Sequence, residues 1–219
     1  MRLAGVIFDL DGVLADSEQL WDRIRREVTT GSGGHWAEGA TEAMIGMSTP
    51  EWSRYLVEEL GADLTPEQAA DTVIDRMAER YATDPPVLPH AEEAVRAVAA
   101  DYPTAIASSA PPRIILAFLE ITGLVDVVRG TVSSEQVGAG KPAPDVYLEA
   151  ARRIGVPAAE CAAVEDSANG IRAAAAAGAT VFAIPNPHFP PAQDALDRSH
   201  RVLGEVREVP DAVRALAAS

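Results

Sequence analysis

Two pairs of acidic residues and one lysine are the residues of this chain best suited to chemistry. Asp9 and Asp11 stand two positions apart in the segment Phe8-Asp9-Leu10-Asp11-Gly12-Val13. Alternate side chains of an extended strand share a face, so both carboxylates can point the same way. Carboxylates this close repel each other unless a cation lies between them or one binds a proton. The segment favours a metal-binding acid–base site, with an Asp-Gly turn or helix cap as the alternative.

A second acidic pair, Glu165 and Asp166, ends another apolar run in Val164-Glu165-Asp166-Ser167. Hard carboxylate oxygens of this kind suit Mg²⁺, which prefers a few carboxylates and several waters. The two pairs together indicate a magnesium site built from separate segments of the chain.

Two further segments are suited to binding an anion. Ser108 and Ser109 end an apolar run just before a helix opened by Pro111 and Pro112, where free backbone N–H groups can meet a phosphate. Lys141 is the only lysine of the chain and lies in a loop of glycine and proline. A lone lysine in an arginine-rich composition marks a place where the wider guanidinium does not serve.

Alternating strands and helices must position these groups. Apolar runs predict strands, listed here: Leu3–Leu10, Thr104–Ala107, Val125–Val128, Cys161–Val164 and Thr180–Ile184. Helical patterns separate them, at His90–Ala100, Pro112–Thr122, Pro144–Ile154 and Ala168–Ala177. Such alternation predicts right-handed βαβ units and a parallel sheet, whose carboxyl edge is where ligands bind.

The segment from Ala15 to Asp84 breaks that alternation, because it holds helical patterns and no convincing strand. Its clearest helices are Ser17–Val28, Pro50–Leu60 and Pro66–Tyr81. We therefore predict an α/β fold, with a Rossmann-like parallel sheet core formed by residues 1–14 and 85–219. Residues 15–84 are predicted to form an inserted helical cap domain.

Composition narrows the choice of partners. The net charge of −15 argues against nucleic acid or an anionic membrane as a partner, since both require clustered lysine and arginine. The chain contains no apolar run of about 18 residues and no signal-peptide pattern at its start, so we expect a cytoplasmic protein, and a monomer. Cys161 lies in a predicted buried strand and is given no catalytic role.

Taken in order, these motifs resemble the haloacid dehalogenase superfamily. The order is Asp-x-Asp-Gly at Asp9, a strand-terminal serine at Ser108, Lys-Pro-x-Pro at Lys141 and Glu-Asp-Ser at Glu165, and it covers nearly the whole chain. The helical insertion resembles the cap of the subgroup that contains β-phosphoglucomutase and the sugar phosphatases. Asp16–Trp21 is similar to the start of the cap in 2-deoxyglucose-6-phosphate and hexitol phosphatases.

The resemblance implies a role for each matching residue. Asp9 attacks phosphorus to give an aspartyl phosphate, and Asp11 protonates the leaving oxygen and later activates water. Phosphoryl oxygens are held by Ser108 and Lys141, together with Gly12 and Ser109. The implied Mg²⁺ ligands are Asp9, the backbone carbonyl of Asp11, and Asp166, with Glu165 close by or in the outer shell.

The expected function is that of a magnesium-dependent phosphatase, a phosphoric monoester hydrolase acting on a sugar or polyol phosphate. A hexose phosphate mutase shares every core motif and stays an alternative. Trp21 and Thr49 stand near the places of a histidine and an arginine that help β-phosphoglucomutase handle its substrate, and the cap contains no lysine, which favours hydrolysis. The missing cap lysine also disfavours phosphonoacetaldehyde hydrolysis, Asp11 disfavours dehalogenation, and a non-catalytic binding role is the remaining alternative.

Substrate selection is assigned to Trp21 and to the segment Met44–Thr49, in particular Ser48 and Thr49, because these lie where caps of this kind face the site. The alternative is that Trp21 and the methionines form the small core of the cap. Trp36 and Trp52 are predicted to pack. Arg23, Arg25 and Arg26 are predicted to form a solvated helix face.

Overall fold

The sheet is parallel throughout, as the alternation of strands and helices predicts. The computed structural model describes residues 3–44 and 47–218. Within them six strands form one sheet in the order β3-β2-β1-β4-β5-β6. The strands are β1 Gly5–Phe8, β2 Thr104–Ser108, β3 Gly130–Ser133, β4 Cys161–Glu165, β5 Thr180–Ala183 and β6 Arg201–Val202. Every adjacent pair is parallel, which requires the helical crossovers that the alternating pattern predicts.

Helices fill the connections and one long insertion. In the described residues they are α1 Glu18–Gly31, α2 Ala40–Met44, α3 Thr49–Glu58, α4 Pro66–Thr83, α5 Ala91–Ala99, α6 Pro112–Thr122, α7 Asp145–Arg153, α8 Ala168–Ala176, α9 Gln193–Leu196 and α10 Val209–Ala217. The first four follow β1 and precede α5, so they form the helical insertion that the sequence predicts.

The sheet is buried on both faces, which explains why its strands are apolar runs without alternation. Val6 and Phe8 of β1 face a hydrophobic core that also includes residues of α5, α6 and α10. Ile7 faces the opposite layer, where it packs with residues of α7 and α8. The central strand β1 is therefore fixed from both sides, and the residues that follow it have a defined position.

The helical insertion has its own packing and sequence signals. Helix α4 contacts α1 and α3 of the insertion and α6 of the core. Thr65 caps α4 by accepting a hydrogen bond from the Gln68 backbone N–H, and Pro66 is pre-organised for the first turn. An ion pair between Arg113 and Asp75 joins α6 to α4 at 2.5 Å. The α/β class with an inserted cap is confirmed.

One predicted strand is wrong. Residues Val125–Val128 form a turn, in which the backbone N–H groups of Val127 and Val128 donate to the Leu124 carbonyl. The apolar side chains of this turn differ in burial, since Val128 is 8% exposed and Val125 is 47% exposed. The strand is instead Gly130–Ser133, which has a single large apolar residue and was not predicted.

No helix in the described ranges is long and apolar enough to cross a membrane.

Candidate active site

Three central strands end at the predicted site. Asp9 directly follows β1, Ser108 is the last residue of β2 and Glu165 is the last residue of β4. Because β1 lies between β2 and β4, these residues meet at one edge of the sheet. The chain crosses from one side of β1 to the other at this point, which is the position where open parallel sheets bind ligands.

Lys141 lies between two carboxylates at this edge. Its Nζ is 2.8 Å from Oδ2 of Asp9 and 2.6 Å from Oε1 of Glu165. Burial alone would lower the pKa of the Lys141 ammonium, but Asp9 and Glu165 outweigh it and raise the pKa. The ammonium is therefore a fixed positive charge beside Asp9 at neutral pH.

Glu165 is held by a dense set of donors. Its Oε1 accepts from the Tyr147 hydroxyl at 2.6 Å in addition to Lys141. Its Oε2 accepts from the backbone N–H groups of Asp166 and Ser167 and from the Ser167 hydroxyl. Burial raises the pKa of Glu165, but Lys141 and the hydrogen bonds outweigh that effect and lower it. Glu165 is an ionised carboxylate whose two oxygens are already occupied.

The acidic group has the donor set of a divalent metal site. Asp9, Glu165 and Asp166 each offer an oxygen, and these oxygens lie within 4.8 Å of one another. Burial and the charge of Glu165 raise the pKa values of Asp9 and Asp166 well above the ordinary range. Asn186 donates to Oδ2 of Asp166 at 3.2 Å. Hard oxygens that repel each other in a buried site fit Mg²⁺, which would relieve the repulsion.

Asp11 is tied to the helical insertion. Its Oδ1 accepts hydrogen bonds from the Ser17 hydroxyl and, at 3.2 Å, from Nε1 of Trp21. Burial raises the pKa of Asp11, while the hydrogen bonds from Ser17 and Trp21 lower it. The net shift is upward, which suits a group that exchanges a proton near neutral pH.

Gly12 and Ser108, two of the predicted phosphate-binding residues, have different surroundings. Gly12 has φ +75°, and a Cβ there would lie 1.8 Å from Oδ2 of Asp166. Its N–H is donated to the Ala15 carbonyl, so the glycine permits a close approach of the two acidic segments. Ser108 is fully buried, and its hydroxyl accepts from the Ala110 N–H at 3.0 Å.

The cavity above these groups is small and lies between sheet and insertion. Its volume is about 30 Å³, room for roughly two waters. Its lining from the core includes Asp9, Asp11, Ser109, Lys141 and Asp166, but not Ser108. Four large side chains of the insertion close it, namely Trp21, Met44, Met47 and Trp52.

Ser48 and Thr49, which the sequence analysis assigned to substrate selection, do not line this cavity. The hydroxyl and backbone N–H of Ser48 donate to Glu51, because Ser48 caps α3. Thr49 lines a separate surface cleft with Pro66 and Ala70. Ile45 and Gly46 of the same predicted segment lie outside the described residues. Trp52, predicted only to pack, both packs and faces the cavity.

Arg25 corrects the prediction of a solvated arginine face. Arg23 and Arg26 are exposed, but Arg25 is 9% exposed and lines the cavity. Its guanidinium carbon lies 5.0 Å and 4.9 Å from the ring centroids of Trp21 and Trp52. Position 25 falls on the buried stripe of α1 with Trp21 and Val28, a helical spacing that three arginines in four residues obscured.

Three further polar residues of the site were not predicted from the sequence, namely Glu18, Tyr147 and Asn186. Glu18 lines the cavity, and burial and Asp11 raise its pKa to about 7. Tyr147 and Asn186 hold Glu165 and Asp166 from distant elements. Tyr147 lies three residues after Pro144, at the start of a helix that the Lys-Pro-x-Pro motif introduces, so its proximity to Lys141 was the available signal.

A parallel sheet with this acidic edge and a helical insertion defines a class of capped α/β enzymes, and comparison with known proteins identifies the family. The model of the haloacid dehalogenase-like hydrolase family matches residues 3–178. The chain belongs to this family, and the resemblance found in the sequence is confirmed.

Two relatives match most of this chain in sequence, and one solved structure matches its fold. Fructose-1-phosphate phosphatase YqaB of Escherichia coli is 32% identical, over 81% of this chain and 94% of the relative. Hexitol phosphatase B of the same species is 30% identical, over 85% of each chain. The crystal structure of β-phosphoglucomutase from Clostridium difficile has a TM-score of 0.81 and 17% identity, and the match covers 100% of both chains. At 17% identity, the likeness to this crystal structure shows the fold alone.

Proposed function

We propose that this protein is a magnesium-dependent phosphatase that hydrolyses a small phosphate monoester, a sugar or polyol phosphate, through an aspartyl phosphate at Asp9. Its family and two relatives that are phosphatases of sugar or hexitol phosphates support the class of reaction. We assign residues 1–14 and 85–219 to the catalytic core and residues 15–84 to the cap.

The observation that carries the proposal is the position of Lys141. An ammonium 2.8 Å from Oδ2 of Asp9 can neutralise charge on a phosphoryl group that approaches that carboxylate. In phosphoryl transfer the charge spreads over the phosphoryl oxygens, so a fixed cation beside the nucleophile stabilises the transition state. Glu165 and Tyr147 keep the lysine in place.

The chemical steps balance with the residues present. An oxygen of Asp9 forms a bond to phosphorus while the bond from phosphorus to the alcohol oxygen breaks, and Asp11 gives its proton to that oxygen. Water then attacks phosphorus, Asp11 takes a proton from it, and phosphate leaves as the Asp9 carboxylate is restored. Trp21 and Ser17 hold Asp11 in position for both proton transfers.

Asp9 and Asp166, with the backbone carbonyl of Asp11, would hold Mg²⁺. Glu165 would act from the outer shell, because both of its oxygens already accept hydrogen bonds. The ion supplies positive charge that permits a phosphate dianion to approach two buried carboxylates.

The insertion must move for a substrate to enter. A hexose or hexitol phosphate is far larger than the cavity of about 30 Å³. Trp21, Met44 and Trp52 are large side chains that close it from the cap side. Opening would admit the ester, and the insertion would exclude water once it packs against the bound ester.

A panel of phosphate esters, assayed for released phosphate, tests the proposal. We expect turnover of sugar or hexitol phosphates with Mg²⁺, loss of turnover with a chelator, and recovery when excess Mg²⁺ is added. Asp9→Asn should abolish turnover and Asp11→Asn should suppress it, with circular dichroism confirming the fold of both. Failure to release phosphate from every ester in the presence of Mg²⁺ would refute the proposal.

The mutase alternative has a separate test. Glucose 1-phosphate, incubated with a bisphosphate activator and followed by NMR, should yield free phosphate. Efficient formation of glucose 6-phosphate would identify a mutase instead. Hydrolysis is preferred because Trp21 and Thr49 stand near the places of the mutase histidine and arginine and the cap contains no lysine. Trp21 instead donates to Asp11.

A further inference from the structure

Arg25 is a buried cation without a close counter-ion. It is 9% exposed, and its Nε has no hydrogen-bond partner. Across residues 3–44 and 47–218, no carboxylate oxygen lies within 4.0 Å of its guanidinium. Burial lowers the pKa of Arg25, and Glu18, Asp11 and Asp22 oppose the shift only at longer range. A buried guanidinium with an unsatisfied donor is costly, unless a water or a bound ligand in the cavity supplies the acceptor.

The position of Arg25 is fixed by aromatic packing. The rings of Trp21 and Trp52 lie 6.3 Å apart, centroid to centroid. The guanidinium lies about equally far from both centroids, at 5.0 Å and 4.9 Å. Cation–π contacts of this kind stabilise the charge and limit its motion. The donors of Arg25 are therefore pre-organised at the cap side of the cavity.

Glu18 lines the same cavity and lies on α1 seven residues before Arg25, which is about two helical turns. The separation of more than 4.0 Å leaves the two side chains unable to satisfy each other directly. A group in the cavity that contacts both residues must accept from the guanidinium and, where Glu18 is ionised, donate to its carboxylate. A hydroxyl does both, whereas a phosphate dianion or a carboxylate does only the first.

We propose that Arg25 and Glu18 form a hydroxyl-recognition subsite that selects substrates whose leaving alcohol carries further hydroxyl groups. The proposal rests on the phosphatase function and deepens it, because it names the residues that discriminate a polyol phosphate from a plain alkyl phosphate. A subsite built to hydrogen-bond a substrate hydroxyl rejects an analogue that lacks it, since the buried polar groups then stay unpaired.

Two esters with the same six-carbon chain provide the test, glucitol 6-phosphate and hexyl phosphate. The measured quantity is the ratio of their kcat/KM values, which cancels general damage to the catalytic groups. We expect the parent enzyme to prefer glucitol 6-phosphate, and we expect Arg25→Met to reduce that preference by about 10- to 100-fold. Glu18→Gln, which keeps the size of the side chain, should reduce it in the same direction.

Arg23→Met is the matched control, since Arg23 lies on the same helix and is exposed. It should retain the parent ratio. A fourth arm compares fructose 1,6-bisphosphate with fructose 1-phosphate. A strong preference for the bisphosphate that Arg25→Met removes would mean that Arg25 binds a second anion, and would overturn the proposal.

The remaining outcomes separate the two claims. A parent enzyme that releases phosphate from no ester refutes the phosphatase function itself. A parent that is active but shows no preference, or whose preference survives in both Arg25→Met and Glu18→Gln, overturns the subsite alone. Glu18→Gln carries the test by itself if circular dichroism shows that Arg25→Met does not fold.

Discussion

Nζ of Lys141 lies 2.8 Å from Oδ2 of Asp9, and the two side chains are 2% and 8% exposed. Oε1 of Glu165 lies 2.6 Å from the same ammonium, and the Glu165 side chain is completely buried. A compact ammonium fits between two buried carboxylates, whereas a guanidinium is wider, planar and fixed in its fork geometry. Charge alone is therefore not sufficient at this position.

We expect Lys141→Arg to lose nearly as much turnover as Lys141→Ala. Loss of a pre-organised charge contact in such a site costs about 3 to 4 kcal/mol of transition-state stabilisation, roughly a hundredfold or more in rate. Released phosphate from the best substrate, with circular dichroism for the fold, measures the effect. Near-parent turnover in both variants would show that Lys141 only shapes its loop.

Trp21→Phe tests the bond between the cap and Asp11. The substitution keeps an aromatic ring but removes the Nε1–H that donates to Oδ1 of Asp11. We expect kcat to fall by about tenfold, the order of a single hydrogen bond to a charged group. Trp36→Phe is the control, because Trp36 packs beneath Arg26 away from the cavity. Equal effects of the two substitutions would contradict a specific role for Trp21.

Gly170→Ala tests how rigidly Glu165 is held. A Cβ on Gly170 would lie 1.8 Å from Oε1 of Glu165, and the hydrogen bonds of that carboxylate prevent it from moving aside cheaply. We expect the free energy of unfolding to fall by about 1 to 3 kcal/mol in urea titrations. Gly31→Ala is the matched control.

The Gly31 control lies at the end of α1 with nothing within 4 Å of its added Cβ. That substitution should be neutral or stabilising by up to about 1 kcal/mol, because alanine loses less entropy than glycine in a helix. If the two substitutions change the free energy of unfolding alike, Glu165 is more mobile than its contacts indicate.

Cys161 should be unreactive in the folded protein. Its side chain is fully buried in β4, and burial with the nearby Glu160 raises the pKa of the thiol to about 11. The raised pKa leaves about one thiolate in a thousand at pH 8. A thiol reagent at pH 8 should therefore label the native protein far more slowly than the urea-unfolded protein. Fast labelling of the native form, without loss of turnover, would contradict this burial.

The sequence by itself determined the features that follow from local pattern. Apolar runs buried on both faces predicted β1, β2, β4 and β5, because a parallel sheet covered by helices has no polar face. The motif order predicted the family, which the comparisons confirm. The positions of Asp9 and Glu165 at strand ends followed from the same pattern, since the carboxyl ends of parallel strands share one edge.

Tertiary structure decided whatever depends on packing between distant elements. The segment Gly130–Ser133 is a strand because it pairs with β2, although its composition is less apolar than that of Val125–Val128. Arg25 is buried because Trp52, from another helix of the insertion, packs against the same face of α1. A local pattern records the preference of a residue, but the partner that overrides that preference lies elsewhere in the chain.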